Sequence, residues 1–127
     1  MRVTFLVRVA TVSEANAHEH YRVRVERAKK QRTTAALSAR ASVVRSPVLP
    51  LRIHMVRIAP RSLDSDNLAG SQKHVRDGLA DWLGIKDNDP RVEWTYGQEK
   101  GPAGATRVEI ETMGAEVAGG KFGASCC

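Results

Sequence analysis

Two short acidic clusters, Asp64-Ser65-Asp66-Asn67 and Asp87-Asn88-Asp89, hold the side chains of this chain best suited to chemistry. Four carboxylates that converge on one point repel each other unless a cation joins them. Oxygen-only ligand sets suit Mg²⁺, or Mn²⁺, better than zinc. The clusters flank one predicted helix in a chain whose formal net charge is +6. An acidic metal site in a basic protein points to a polyanionic substrate, of which nucleic acid is the most common.

Each cluster also has a plainer reading. Asp64 and Asp66 lie where an extended approach turns into a helix, and residues i and i+2 of extended backbone face one side. The helix N-terminus would favour the Asp66 carboxylate. Equally, Asp64 or Ser65 would serve simply as a helix cap. Asp87-Asn88-Asp89-Pro90 has the composition of an ordinary turn. A straight helix of some 18 residues is about 27 Å long, which keeps the clusters apart. They meet only if residues 66–70 loop, with the helix starting near Ser71, and if the strand that follows runs back beside the one before.

Other chemistries fit less well. Counting a calcium loop from Asp64 puts Leu68 and Val75 where oxygen ligands are required. His18 and His20 fall on different faces of a helix, and His54 and His74 have no spaced partner. There is no glycine-rich phosphate loop. Cys126 and Cys127 are adjacent, so they neither staple a fold nor have metal-ligand spacing. Lys73, Asp77 and Asp81 recur every four residues, which reads as a salt-bridge ladder. A lysine near a metal could also stabilise charge developing on a phosphodiester.

The elements that must position these groups follow from periodicity. Val3, Phe5, Val7 and Val9 alternate with polar residues over 2–10, a half-buried strand. A long polar stretch predicts a helix over roughly 14–39, with a strand at Val23 and Val25 as a lesser alternative. Leu51, Ile53 and Met55 mark a second strand ending near Pro60. Leu68, Val75, Leu79, Trp82 and Leu83 mark a helix from about Asp66 to Leu83, and Gly84 stops it. Val92, Trp94 and Tyr96, then Val108 and Ile110, mark two more strands, with residues 101–104 as a hairpin candidate between them. The order β-α-β-α-β-β implies a single α+β domain over 1–113, helices packed on a small mixed sheet, with 114–127 as a flexible glycine-rich tail.

Composition bounds the rest. A chain of 127 residues with 42% hydrophobic content builds one modest core. No apolar run approaches the roughly 20 residues that span a bilayer, so no membrane partner is expected. The opening residues read as a strand, not a secretion signal, and a cytoplasmic setting is expected. Charge is uneven: residues 1–63 hold 13 Lys/Arg against 3 Asp/Glu, and residues 64–127 hold 7 against 11. Arg22, Arg24, Arg27, Lys29, Lys30 and Arg32 surround the first helix and are candidate phosphate contacts, which bind without base information. An aromatic content of 5% argues against a base-stacking RNA module.

Asp64-Ser65-Asp66-Asn67-Leu68, Lys73, Asp77-Gly78-Leu79, Asp87-Asn88-Asp89-Pro90-Arg91-Val92 and the stretch from Trp94 to Gly101 resemble the RusA family of Holliday junction resolvases, most closely its phage and prophage members. The similarity is specific over residues 61–101, and the β-α-β-α-β-β order agrees with the family fold. The resemblance implies a Mg²⁺-dependent endonuclease (a crossover junction endodeoxyribonuclease) that acts on branched DNA, such as a four-way junction, as a homodimer in recombination and repair, with no small-molecule cofactor. It implies Asp64, Asp66 and Asp89 as catalytic metal ligands, with Asp87 a further ligand or just outside the set. It implies Lys73 as a catalytic lysine, although three more residues separate it from Asn67 than in the shortest members. Arg61 and Asn67 would join the DNA contacts. A DNA-binding protein with no nuclease activity is the alternative, since Asn88 stands where many members carry another aspartate.

Overall fold

The computed structural model describes residues 2–12, 20–102 and 104–113. Seven elements follow in order: β1 (Arg2–Val7), α1 (Tyr21–Ser42), β2 (Leu51–Ala59), α2 (Ser65–Ser71), α3 (Lys73–Leu83), β3 (Val92–Lys100) and β4 (Ala105–Thr112). Four strands form one mixed sheet in the order β1-β4-β2-β3, with helices on one face, an α+β domain. The start of the helix expected over 14–39, residues 14–19, and the tail expected over 114–127 lie outside the described residues.

Alternation decides what each sheet face does. Val7, Leu51, Ile53, Met55, Val108 and Ile110 are fully buried on the helix-covered face, joined there by Val92. Each such side chain contributes about 1.5–3 kcal/mol through removal from water. The opposite face carries charge in a laced pattern. Arg52 contacts Glu93 at 2.9 Å and Glu111 at 3.7 Å, and Arg2 reaches the same Glu111 at 3.1 Å. Arg107 bridges Glu99 at 3.2 Å and Glu109 at 2.9 Å.

The helices depart from the sequence expectation at informative places. Helix α1 is capped by His20, whose Nδ1 accepts the Arg22 N–H, and it continues to Ser42, past the expected end at 39. Val23 and Val25 are helical, not a strand. Only Gln31, Ala35 and Ala39 of α1 are buried, so its first ten residues have no buried side chain. The single helix expected over 66–83 is two helices. Gln72 breaks it with φ −97° and ψ 1°, and its buried side chain accepts a hydrogen bond from Thr106 Oγ1. Residues 66–70 are helical, the body of α2, so the loop that would have let the two clusters meet does not form. Gly84 ends α3 in the left-handed region at φ 72°, as the sequence indicated.

The expected hairpin between the last two strands does not form. β3 runs parallel to β2 at the sheet edge, and β4 inserts antiparallel between β2 and β1. The 101–104 connection therefore crosses the end of β2, where the Gly101 N–H bonds the Ala59 carbonyl. A Cβ at Gly101 would stand 2.8 Å from Ile58 Cγ2, so glycine allows this crossing. Parallel pairing of β2 and β3 through α2 and α3 is a βαβ unit, and it governs which acidic residues can meet.

Candidate functional site

The turn after β2 is pinned from both sides. Leu63 N–H donates to Gln98 Oε1 at 2.9 Å, and Gln98 Nε2 donates back to the Leu63 carbonyl at 2.7 Å. Arg57 Nη1 donates to the Arg61 carbonyl at 2.8 Å. This delivers Asp64 in extended conformation as the N-cap of α2, where its Oδ1 accepts the Asn67 N–H at 2.9 Å. The capping role anticipated for Asp64 is therefore real. Ser65 is already helical, so the same-side alternation expected for Asp64 and Asp66 does not apply. Asp66 is exposed in the first turn, where the helix dipole favours its charge, and its side chain bonds no described residue.

The second acidic stretch divides. Asp89 is committed to Arg91: Oδ2 takes Nη2 at 2.8 Å, while Oδ1 takes Nε at 3.0 Å and the Arg91 backbone N–H at 2.9 Å. Those bonds hold its carboxyl at about 2, below the usual carboxylate range. Its carbonyl accepts the Val92 N–H, which makes the segment the turn that opens β3. Asp87 instead faces an open polar depression of about 420 Å³, shared with Lys73, Asp77, Asp81, Asn88 and Arg32. Arg76 holds the Asp87 carbonyl, donates to the Tyr96 hydroxyl at 2.9 Å and stacks 4.7 Å from the Trp94 ring centroid.

Lys73 Nζ lies 3.4 Å from Asp77, the first rung of the anticipated ladder. The second rung is replaced: Asp81 makes a two-point bond to Arg32 of α1, at 2.6 and 2.8 Å. That bond lowers the Asp81 pKa and raises that of Arg32. Lys73 stands one short helix beyond Asp66, about 10 Å along its axis.

The two clusters do not meet. Gln98, which holds the Asp64 turn, is six residues of extended chain from Val92, beside Asp89, roughly 20 Å away. Among the described residues, no three His, Cys, Asp or Glu side chains gather to hold a metal ion. Asp64, Asp66 and Asp89 thus do not fit one cation as arranged. Asp64 and Asp66 alone fit the weaker demand of Mg²⁺, which commonly takes one or two carboxylates plus substrate phosphates. Asp66 has no side-chain partner among the described residues, and Asp64 keeps Oδ2 outside its capping bond.

The basic candidates fall into two groups. Arg22, Arg24, Lys29 and Lys30 are exposed on α1, and Arg27 is partly covered. Arg32 is exposed but tied to Asp81. Arg61 belongs elsewhere, to a cleft at the far end of β2 and β3 that Arg57 and Lys100 also line. Arg57 and Lys100 went unnoticed in the sequence, although the signal was there. Each continues a core-facing alternation, Leu51-Ile53-Met55-Arg57 and Val92-Trp94-Tyr96-Gln98-Lys100, with a cation in place of an apolar side chain. No described helix is long and apolar enough to cross a membrane. No family model matches the chain, and neither does any curated protein.

Proposed function

We propose that this chain is a Mg²⁺-dependent endonuclease that binds branched DNA and cuts its phosphodiester backbone, acting in the cytoplasm as a homodimer. The reading joins the RusA-like motifs of residues 61–101 to one observation. Asp66 stands exposed at the start of α2 with no side-chain partner among the described residues, two positions from Asp64 and five past Arg61, which lines the basic cleft. A carboxylate pair next to cations suits a phosphate, because the cations neutralise a charge that the carboxylates would repel.

Asp66 and the free oxygen of Asp64 would hold the ion together with the phosphate. When bound, Mg²⁺ lowers the pKa of a water and neutralises charge on the leaving oxygen. Arg61 would orient the backbone, and exposed Lys73 would reach the adjoining stretch of strand. The basic face of α1 would add contacts free of sequence information. Two sites related by a two-fold axis would match a junction that must be cut on two symmetric strands.

A second reading has its own support. Asp89 is held at both carboxylate oxygens by Arg91, which favours a junction-binding protein that does not cut. Cleavage of a labelled four-way junction beside linear duplex, with Mg²⁺, Ca²⁺ or EDTA, separates the two. The nuclease reading expects paired symmetric nicks with Mg²⁺ only, abolished in Asp66→Asn with binding retained or tightened. Salt-sensitive binding without cutting under any metal would sink it and leave the second reading.

A further inference from the structure

We infer that the cleft formed by Arg57, Arg61 and Lys100 is a phosphoryl-binding pocket, and on the reading above its occupant is a DNA backbone phosphate. The cleft has a volume of about 210 Å³ and is completed by Ala59, Pro60, Ser62, Gln98 and Glu99. Register places Arg57 opposite Gln98 and Ala59 opposite Lys100, so these side chains share the helix-packed face of the sheet. The core ends there and cations take its place.

None of the three cations has a carboxylate partner among the described residues. Arg57 spends its donors on neutral oxygens: Nη1 on the Arg61 carbonyl at 2.8 Å, Nε on Thr11 Oγ1 at 3.2 Å and Nη2 on the Thr11 carbonyl at 3.4 Å. Those bonds fix the guanidinium without neutralising it. Glu99, the only acid among the described residues that lines the cleft, is held by Arg107 through both Nη atoms at 3.2 Å. Arg61 and Lys100 are exposed, and their side chains bond no described residue.

Three converging positive charges with no internal counter-ion raise the local concentration of anions. An arginine held in place beside two exposed cations suits a tetrahedral oxyanion, which takes several charge-assisted bonds at once. The cleft lining also offers the Ser62 hydroxyl, a donor that suits phosphoryl oxygens. The pocket adjoins the Asp64 turn through Leu63 and Gln98. A backbone phosphate seated here would bring the next stretch of strand past Asp64 and Asp66.

The test has two arms, on the full chain. In the first, inorganic phosphate is titrated against the ¹⁵N-labelled protein. Saturable shifts at Arg61, Ser62 and Lys100 amides, lost in the Arg61→Gln/Lys100→Gln double variant, are expected. Shifts that are absent, or that survive in the variant, overturn the pocket. In the second, junction-DNA affinity is measured across salt for wild type, the double variant and a Lys29→Gln/Lys30→Gln control. One phosphate contact carries a salt slope of about 0.9, or roughly eightfold in affinity at 0.1 M salt relative to 1 M. The pocket variant should lose at least that factor and flatten the slope by about 0.9 or more. Unchanged affinity and slope in that variant, with the control weakened, overturns the inference and leaves DNA binding intact. Phosphate binding at the pocket without DNA binding by wild type does the reverse: it supports the pocket and removes the DNA reading.

Discussion

Gly78 sits where α3 crosses α1, and adding a single methyl there tests the whole helical layer. A Cβ at Gly78 would stand 2.2 Å from the Arg32 carbonyl oxygen and 2.8 Å from Ala35 Cβ. Carbon–oxygen contacts need more than 3 Å, so the helices must separate by roughly 1 Å. The nearest obstacle is backbone, which no rotamer change relieves. Overpacking of this kind costs about 3 kcal/mol, the upper part of its usual range. Alanine recovers about 1 kcal/mol over glycine in a helix interior. The net expectation for Gly78→Ala is about 2 kcal/mol of destabilisation, a fall in Tm of about 8 °C for a domain of this size. Gly70 supplies the control, because a Cβ there meets nothing within 4 Å. Gly70→Ala should stabilise by about 0.5–1 kcal/mol through helix propensity alone. Urea unfolding followed by circular dichroism measures both. Equal or greater stability in Gly78→Ala would refute the α1–α3 crossing, and with it the placement of the basic face that α1 carries.

The remaining expectations concern the acidic residues. Asp64→Ala removes the N-cap bond to Asn67 and should cost about 1 kcal/mol, with faster amide exchange at Asn67; unchanged exchange would mean that the capping bond does not form in solution. Asp89, held by Arg91, should titrate at about 2, not at its ordinary 3.8. Its folded-state pKa is depressed, so its stabilising contribution is full above 3.8 and is lost as pH falls from there towards 2. Carboxyl ¹³C titration reads this directly, and a midpoint near the ordinary value would contradict the ion pair. Arg91→Ala should raise that midpoint towards the ordinary value but stop short of it, because the residue-91 backbone N–H still donates to Asp89 Oδ1.

Much of the layout was legible because it rests on local signals. Alternation located all four strands, and a glycine after an apolar helical stripe located the end of α3. The failures were of non-local origin. Nothing near residues 101–104 distinguishes a hairpin from a crossing, since the choice depends on β2 already flanking β3 in parallel. The break at Gln72 is likewise tertiary: a buried glutamine bonded by Thr106, a residue 34 positions on, sits at the kink. Asp81 pairs with Arg32, 49 positions away, in place of the lysine-led ladder that helical spacing suggested. At the site, the sequence marked Asp64 correctly as a cap and Asp89 correctly as a turn residue, each through its plainer reading. It overlooked Arg57 and Lys100, because a cation that ends an apolar alternation looks like an exposed strand end.

The parallel pairing of β2 and β3 is what reorganises the functional argument. Both strands point the same way, so whatever follows β2 is divided from whatever precedes β3 by the length of the sheet. Asp64 and Asp66 therefore share their end with Arg57, Arg61 and Lys100, while Asp89 remains at the other with its own arginine. A carboxylate balanced by two-point arginine bonds has little charge left to offer a cation. An exposed one at a helix start, beside uncompensated cations, has nearly all of it. The chemistry assigned to this chain depends on that difference between Asp66 and Asp89, two residues that composition and spacing alone make look alike.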